Sequence, residues 1–170
     1  MRLKLYPYNK TFPQQFEKEK HKIQEALRAL KGFRIYHIGS TSIRGLGGKG
    51  IVDIMIGIKF WPDKFKYIKE LKKIGYKRVN FEEKGRISLS KVWWTKKGDV
   101  HIHLVGLGTP ELVNDLKFRN LLRKSKVQTS KYWQLKKQLI RDTKGNRKIY
   151  GKFKSEYIQN LIRTGRDSKK

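Results

Sequence analysis

The stretch HIGSTSIRGLGGKGIVDIMI, residues 37–56, decides how this chain is read. It opens at the end of a β-branched and aromatic run, FRIYHI (33–38), and closes inside a second, IVDIMIGI (51–58), each of strand length. Between the two, Gly39, Gly45, Gly47, Gly48 and Gly50 crowd together with Ser40, Thr41 and Ser42. A strand that ends in Gly-Ser and runs into hydroxyls and glycines offers backbone N–H groups and side-chain donors that close on phosphate oxygens, because glycine lets the backbone approach without a Cβ. Lys49 adds a point charge. Asp53 is a lone carboxylate inside an apolar strand, where an ionised group needs a partner or a metal to offset its desolvation. The residues alone leave a second reading open. In it the glycines form a flexible loop, and Asp53 bonds a neighbouring backbone group or one of the many lysines.

On the N-terminal side, Phe16, Ile23, Ala26, Leu27 and Leu30 recur at helical spacing between Pro13 and Gly32, so 13–30 is expected as helix. On the C-terminal side, Phe65, Ile68, Leu71 and Ile74 do the same over 62–74, which ends at Gly75 and is expected to lay that face on the sheet. A short strand is expected over 76–81. ISLSKVWWT (87–95) and VHIHLV (100–105) bracket the turn-rich KKGD and read as a hairpin. After Gly108, the segments 110–125, 130–143 and 149–163 each show helical periodicity, with Thr109 and Ser130 as caps. This order predicts an α+β fold within one domain: a mixed β-sheet core with flanking helices over 1–108, a helical C-terminal part over 109–163, and a basic tail over 164–170.

Hydrophobic residues make up 37% of the 170 and aromatics 12%, too much core material for a disordered polycation. Forty-two Lys and Arg stand against fourteen Asp and Glu, a formal net charge of +28 that calls for a polyanionic partner: nucleotide, nucleic acid or anionic membrane. The absence of Cys excludes disulfides, thiolate metal sites and cysteine nucleophiles. The start, MRLKLYPYNKTF, lacks an apolar run and a cleavage site, and no stretch approaches the roughly 20 apolar residues of a membrane span. A cytoplasmic protein without transmembrane association is the expectation.

The succession H-I-G-S-T-S, K-x-I-V-D-I, H-x-H-L-V and F-R-x-x-L-R resembles the GrpB family, whose fold is that of the nucleotidyltransferase superfamily typified by DNA polymerase beta. The opening Y-x-x-x-F-P-x-x-F-x-x-E from Tyr8 to Glu19 and the late Y-x-x-x-K from Tyr150 to Lys154 extend the resemblance over nearly the whole chain. It implies a phosphate-binding turn at Gly39 and Ser40 and an acid on the following strand at Asp53. It also implies transfer of a nucleoside monophosphate from a nucleoside triphosphate to a hydroxyl or phosphate acceptor. The superfamily uses two divalent ions for this, held by an Asp-x-Asp or Asp-x-Glu pair and a third carboxylate on a later strand. Here the chain departs from the pattern. Met55 stands two residues after Asp53, and a thioether does not serve a hard Mg²⁺. The later strand supplies His101 and His103, with Asp99 the nearest acid. GrpB-type sequences share this departure, which puts the ordinary two-Mg²⁺ route in doubt.

Three readings of His101 and His103 stay open: half-exposed strand residues bonded to neighbours, metal donors together with Asp53, or direct phosphate donors. As metal donors the set suits Mn²⁺, Fe²⁺ or Zn²⁺ better than Mg²⁺. Asp53, His101 and His103 are thus the expected catalytic and metal-binding residues. Gly39, Ser40, Thr41, Ser42 and Lys49, with the motif-matched Arg119 and Lys154, are the expected phosphate-binding ones. Asn120 stands where many relatives carry Asp, which weakens any role for that position. His37 reads as a support for the turn or a core histidine. Trp93 and Trp94 point to opposite faces of the hairpin, one into the core and one available to a base. The functional expectation is binding of a nucleoside triphosphate, with a divalent ion (Mg²⁺, Mn²⁺ or Zn²⁺), and transfer of a nucleotidyl group. Its rivals are a basic RNA-binding protein on a catalytically degenerate scaffold, with lysines over 64–84 and 117–154 as the track, and a metal-dependent phosphate-ester hydrolase.

Overall fold

A computed structural model describes residues 3–78, 85–91 and 99–165. In chain order the elements are α1 (Phe12–Ala26), β1 (Phe33–Ile38), a 3-10 turn (Ser40–Ser42) and β2 (Val52–Ile58). A second 3-10 turn (Trp61–Asp63), α2 (Lys64–Lys73), β3 (Lys77–Arg78), β4 (Arg86–Lys91) and β5 (Val100–Gly106) follow, and then α3 (Pro110–Lys124), α4 (Lys126–Asp142) and α5 (Arg147–Thr164). The sheet order is β1-β2-β5-β4-β3. β2 and β5 run parallel and the other pairs antiparallel, so the sheet is mixed and the fold α+β, as expected.

Both faces of β2 are covered, which explains its near-continuous apolar sequence. Val52, Ile54, Ile56 and Ile58 point to one face, fully buried against α1 and α2. Truncating one of these isoleucines to Ala costs about 2–5 kcal/mol. On the other face Met55 packs with Ile38, Val105 and Leu112 under α3. The glycine loop is tied to the C-terminal helices by a third cluster, in which Ile43 and Leu46 meet Leu122, Tyr132 and Leu161.

Several local expectations need correcting. Phe65 is 58% exposed, and the inner face of α2 is made instead by Tyr67, Ile68 and Leu71. Phe65 sits in the first turn of the helix, and the Tyr67 hydroxyl reaches back to donate to the Lys31 carbonyl at 2.8 Å. α4 begins five residues earlier than the Ser130 cap implies: Ser125 accepts from the Gln128 amide at 3.2 Å, and Ser130 lies inside the helix. Thr109 precedes α3 but donates to the Gly106 carbonyl at 2.9 Å rather than capping. α5 is capped by Asn146, whose Oδ1 accepts from Lys148 and Ile149. β4 and β5 pair antiparallel from Arg86↔Val105 to Lys91↔Val100. Trp93 and Trp94, which lie between them in sequence, and residues 79–81 of the expected 76–81 strand fall outside the described residues, whereas Lys77–Arg78 form β3.

The inner stripe of α1 is Phe12, Phe16, Glu19 and Ile23, so one of its positions is an acid. Glu19, 3% exposed, accepts from Tyr76 Oη at 3.1 Å and Lys91 Nζ at 3.2 Å, and thereby fastens α1 to the far side of the sheet. Among the described residues no helix is long and apolar enough to cross a membrane.

Candidate functional site

The strand register assembles the site. Ile38 at the end of β1 lies opposite Asp53, and on the other side of β2 Asp53 pairs with His101 and Met55 with His103. Because residues two apart share a face, Asp53, His101 and His103 project together on the side facing α3 to α5. Asp53 Oδ1 is 3.8 Å from His101 Nδ1 and 3.6 Å from His103 Nε2. The other nitrogen of His103, Nδ1, lies 3.2 Å from Ser88 Oγ on β4, which fixes the ring.

At Gly39 the chain turns with φ 68° and ψ −172°, a conformation L side chains avoid, and a Cβ there would collide with the Asp53 carboxylate. Gly48 plays the matching part from the other end of the loop, since a Cβ there would collide with Ser40 Oγ. The 3-10 turn between them is held from within. Ser42 Oγ donates to the Gly39 carbonyl at 2.7 Å, and Thr41 Oγ1 is hydrogen-bonded to His37 Nε2 at 3.0 Å. Of these four residues Gly39 and Ser40 line the cleft, whereas the Thr41 and Ser42 side chains are buried and engaged within the turn. His37 stacks on Phe16 with ring centroids 4.4 Å apart, and burial, aided by Arg123, pushes its pKa down to about 4. It is a neutral support behind the turn.

Two arginines of α3 clamp this turn. Arg119 Nη1 donates to the His37 carbonyl at 2.9 Å, and its Nε and Nη2 donate to Asn120 Oδ1. Arg123 donates from Nε and Nη2 to the Ser42 carbonyl at 2.9 and 2.8 Å. Arg119 lines the cleft, yet its guanidinium is already occupied by the protein, and Asn120 orients it.

The resulting cleft has a volume of about 320 Å³. Its floor is Asp53, His101 and His103, and its rim carries Gly39, Ser40 and Lys49. Helices α4 and α5 contribute Lys136, Tyr150 and Lys154. Burial works to raise the Asp53 pKa, but His103, then His101 and Lys154, outweigh it and hold the carboxyl below its ordinary value. Burial lowers the pKa of His101 against the pull of Asp53, so its imidazole is neutral at pH 7. Burial and then Lys154 lower Lys49, and the same two causes push Lys136 down to about 7. Three lysines thus converge with too little negative charge to balance them.

Lys136 escaped the sequence reading. It is 3% exposed, donates to the Gly47 carbonyl, and lies 5.0 and 5.3 Å from the Tyr132 and Trp133 ring centroids. The signal was its place on the inner stripe of α4 with Thr129, Tyr132 and Leu139. A lysine at such a position needs a reason that a surface lysine does not. Arg123 is the second arginine of the F-R-x-x-L-R motif, and that motif is its signal in the sequence.

The donors do not fit the two-ion arrangement. Met55, fully buried in an apolar cluster, occupies the place of the second carboxylate. Asp115 on α3 also lines the cleft, but it is bound to Arg86 at 2.6 Å. Among the described residues no three His, Asp or Glu side chains are placed to hold one metal ion, the Asp53, His101 and His103 set included.

Comparison with known proteins bears on the family and the fold. The family model described as GrpB protein matches residues 2–164. The UPF0157 protein BH1888 of Halalkalibacterium halodurans is 28% identical over 159 residues, covering 94% of this chain and 80% of that one. The crystal structure of conserved protein GrpB from Enterococcus faecalis superposes with a TM-score of 0.78 at 28% identity, over 94% of this chain and 95% of the other. Cid1 in complex with its short product ApU is similar at a TM-score of 0.54 and 10% identity, over 76% of this chain and 41% of Cid1. That likeness is one of fold, and it extends the nucleotidyltransferase-like description to the sheet seen here.

Proposed function

The chain belongs to the GrpB family, and from that premise we propose that its cleft binds the phosphates of a nucleoside triphosphate and passes a nucleotidyl group to an acceptor. One observation carries this reading: Ser40, Lys49 and Lys154 stand around the Asp53, His101 and His103 floor, beside a turn whose Gly39 leaves no room for a Cβ. No hydrogen bond or ion pair holds the Lys49 or Lys154 ammonium among the described residues, so both charges are available to phosphate oxygens. The glycine backbone admits the phosphates closely. His101, its side chain 37% exposed against 18% for His103, is the group placed to take the acceptor proton. The acceptor oxygen then bonds to the α-phosphorus, and the bond to pyrophosphate breaks. Asp53, 3.8 Å from His101 Nδ1, stabilises by its charge the imidazolium that forms.

A structure of the Cid1 poly(U) polymerase with MgGTP bound, at a TM-score of 0.51 and 11% identity, supports offering the nucleotide with a divalent ion. The test is thermal unfolding with each nucleoside triphosphate in the presence of Mg²⁺, Mn²⁺ or Zn²⁺, followed by assay of the products. Binding raises the melting temperature by mass action. Pyrophosphate with a labelled acceptor supports transfer, and phosphate or a monophosphate without an acceptor supports the hydrolase reading. No shift at millimolar nucleotide removes the proposal.

A second reading, in which the chain binds single-stranded nucleic acid and RNA foremost, is favoured by the +28 charge, far more than the three cleft lysines account for.

A further inference from the structure

The end of the sheet away from the cleft carries a second cluster. Asp53 is the second residue of β2 and Ile58 its last, five residues or about 17 Å further along the strand. The chain then runs Lys59-Phe60-Trp61-Pro62-Asp63-Lys64-Phe65-Lys66 through the 3-10 turn into α2. Phe60 and Phe65 are 63% and 58% exposed, while Trp61 between them is packed partly against the core. The fold makes little use of the two phenylalanine rings, and it holds them at its surface on short, anchored elements.

A lysine sits against one of these rings, and others flank them along the chain. Lys64 Nζ lies 5.1 Å from the Trp61 ring centroid and 5.3 Å from that of Phe65. Lys31 and Lys59 are exposed, and their backbones are fixed. The Lys59 amide donates to the Gly32 carbonyl at 2.7 Å, and the Lys31 carbonyl accepts from Tyr67. Asp63 is paired with Lys66 at 2.8 Å.

We propose that this face is a stacking platform for single-stranded RNA, in which Phe60 and Phe65 receive successive bases and Lys31, Lys59 and Lys64 meet the phosphates between them. The inference sharpens the nucleic-acid reading above and is independent of the cleft. Every base presents a π-face, so exposed aromatic rings interleaved with cations bind single strands without reading sequence. The make-up of the face decides against a membrane. A surface that inserts presents a contiguous apolar stripe, whereas here two exposed rings are interleaved in sequence with Lys59 and Lys64. A polynucleotide offers phosphates to such cations and bases to such rings.

The experiment is fluorescence anisotropy of the full chain with labelled oligo(U) and oligo(A) of about 12 nucleotides, within the span one such surface covers, across a salt series. Phe60→Ala and Phe65→Ala are each expected to weaken binding by about fivefold or more. The slope of log affinity against log salt stays unchanged, because no charge is removed. Phe65→Trp keeps the affinity, Lys59→Ala lowers the slope by about 0.7, and a duplex is indifferent to both Phe substitutions. More than half of each ring is already in water, so the melting temperature stays at the wild-type value and verifies that the variants fold. Nucleotide-induced thermal shifts are unchanged in the Phe variants, and Asp53→Asn leaves oligonucleotide affinity intact, which separates failure here from failure of the cleft proposal. Affinity within twofold of wild type in the folded double Phe→Ala variant overturns the inference. So does binding to phosphatidylserine vesicles that the same substitutions abolish while oligonucleotide binding persists.

Discussion

Gly39, the first residue after β1, lies so close to Asp53 on β2 that the space for a Gly39 Cβ is filled by the Asp53 carboxylate. The turn and the acid are therefore one structural unit. Gly39→Ala is expected to destabilise the protein by roughly 1–3 kcal/mol through its φ of 68°, and the collision adds to this. Urea unfolding of Gly39→Ala, Asp53→Ala and the double variant separates the two: Asp53→Ala relieves the collision and leaves the backbone strain. Simple additivity of the two single variants would show that they do not touch.

Asp53→Asn keeps the shape of the side chain and removes its charge. The expected outcome is a melting temperature near wild type with the nucleotide-induced shift lost. Unfolding of this variant would mark Asp53 as a structural acceptor and remove it from the site.

His37 makes stability depend on pH in a defined window. Its pKa is about 4 in the fold against 6.5 for the free side chain, so between those values the unfolded chain binds the extra proton. Stability therefore falls as pH drops from 6.5 to 4, by about 3 kcal/mol over the full window at 1.36 kcal/mol per pKa unit. Asp53, whose pKa is held below 3.8, loses its contribution only at lower pH. Urea midpoints at pH 7 and pH 4.5 check this, and His37→Gln is expected to flatten the difference.

Lys136 gives an alkaline counterpart. Its pKa is about 7 in the fold and 10.5 in the free side chain, so above pH 7 the unfolded chain holds the proton that the folded one has released. Stability from this group rises as pH climbs from 7 towards 10.5, and Lys136→Met removes the rise. Nucleotide bound beside Lys136 favours its charged form, so at pH 8 binding takes up protons. Calorimetry in buffers of different ionisation enthalpy measures that uptake, which is absent in Lys136→Met.

The elements were legible because each obeys a local rule. Val52, Ile54, Ile56 and Ile58 are β-branched at a period of two, and the inner residues of α1 recur at helical spacing, so strand and helix are stated by the residues themselves. The succession of HIGSTS, IVDI and HIHLV also named the floor of the cleft, because residues two apart in neighbouring strands share a face whatever surrounds them. Periodicity does not say which partner an inward-facing group finds. Glu19 and Lys136 lie on apolar stripes, and only the packing of α1 on β4 and of α4 on the glycine loop provides Lys91, Tyr76 and the Gly47 carbonyl to receive them. The same holds where the reading failed. Thr41 and Ser42 read as phosphate donors by composition, but the 3-10 turn rotates them toward His37 and the Gly39 carbonyl. Phe65 fits the helical stripe, yet it stands exposed in the first turn of α2, and Tyr67 takes the core with Ile68 and Leu71. Apolar spacing is a property of one segment, and burial and hydrogen-bond partners are properties of two, so the chain alone determined its elements and their order, and the packing between them decided which polar groups were left to face the cleft.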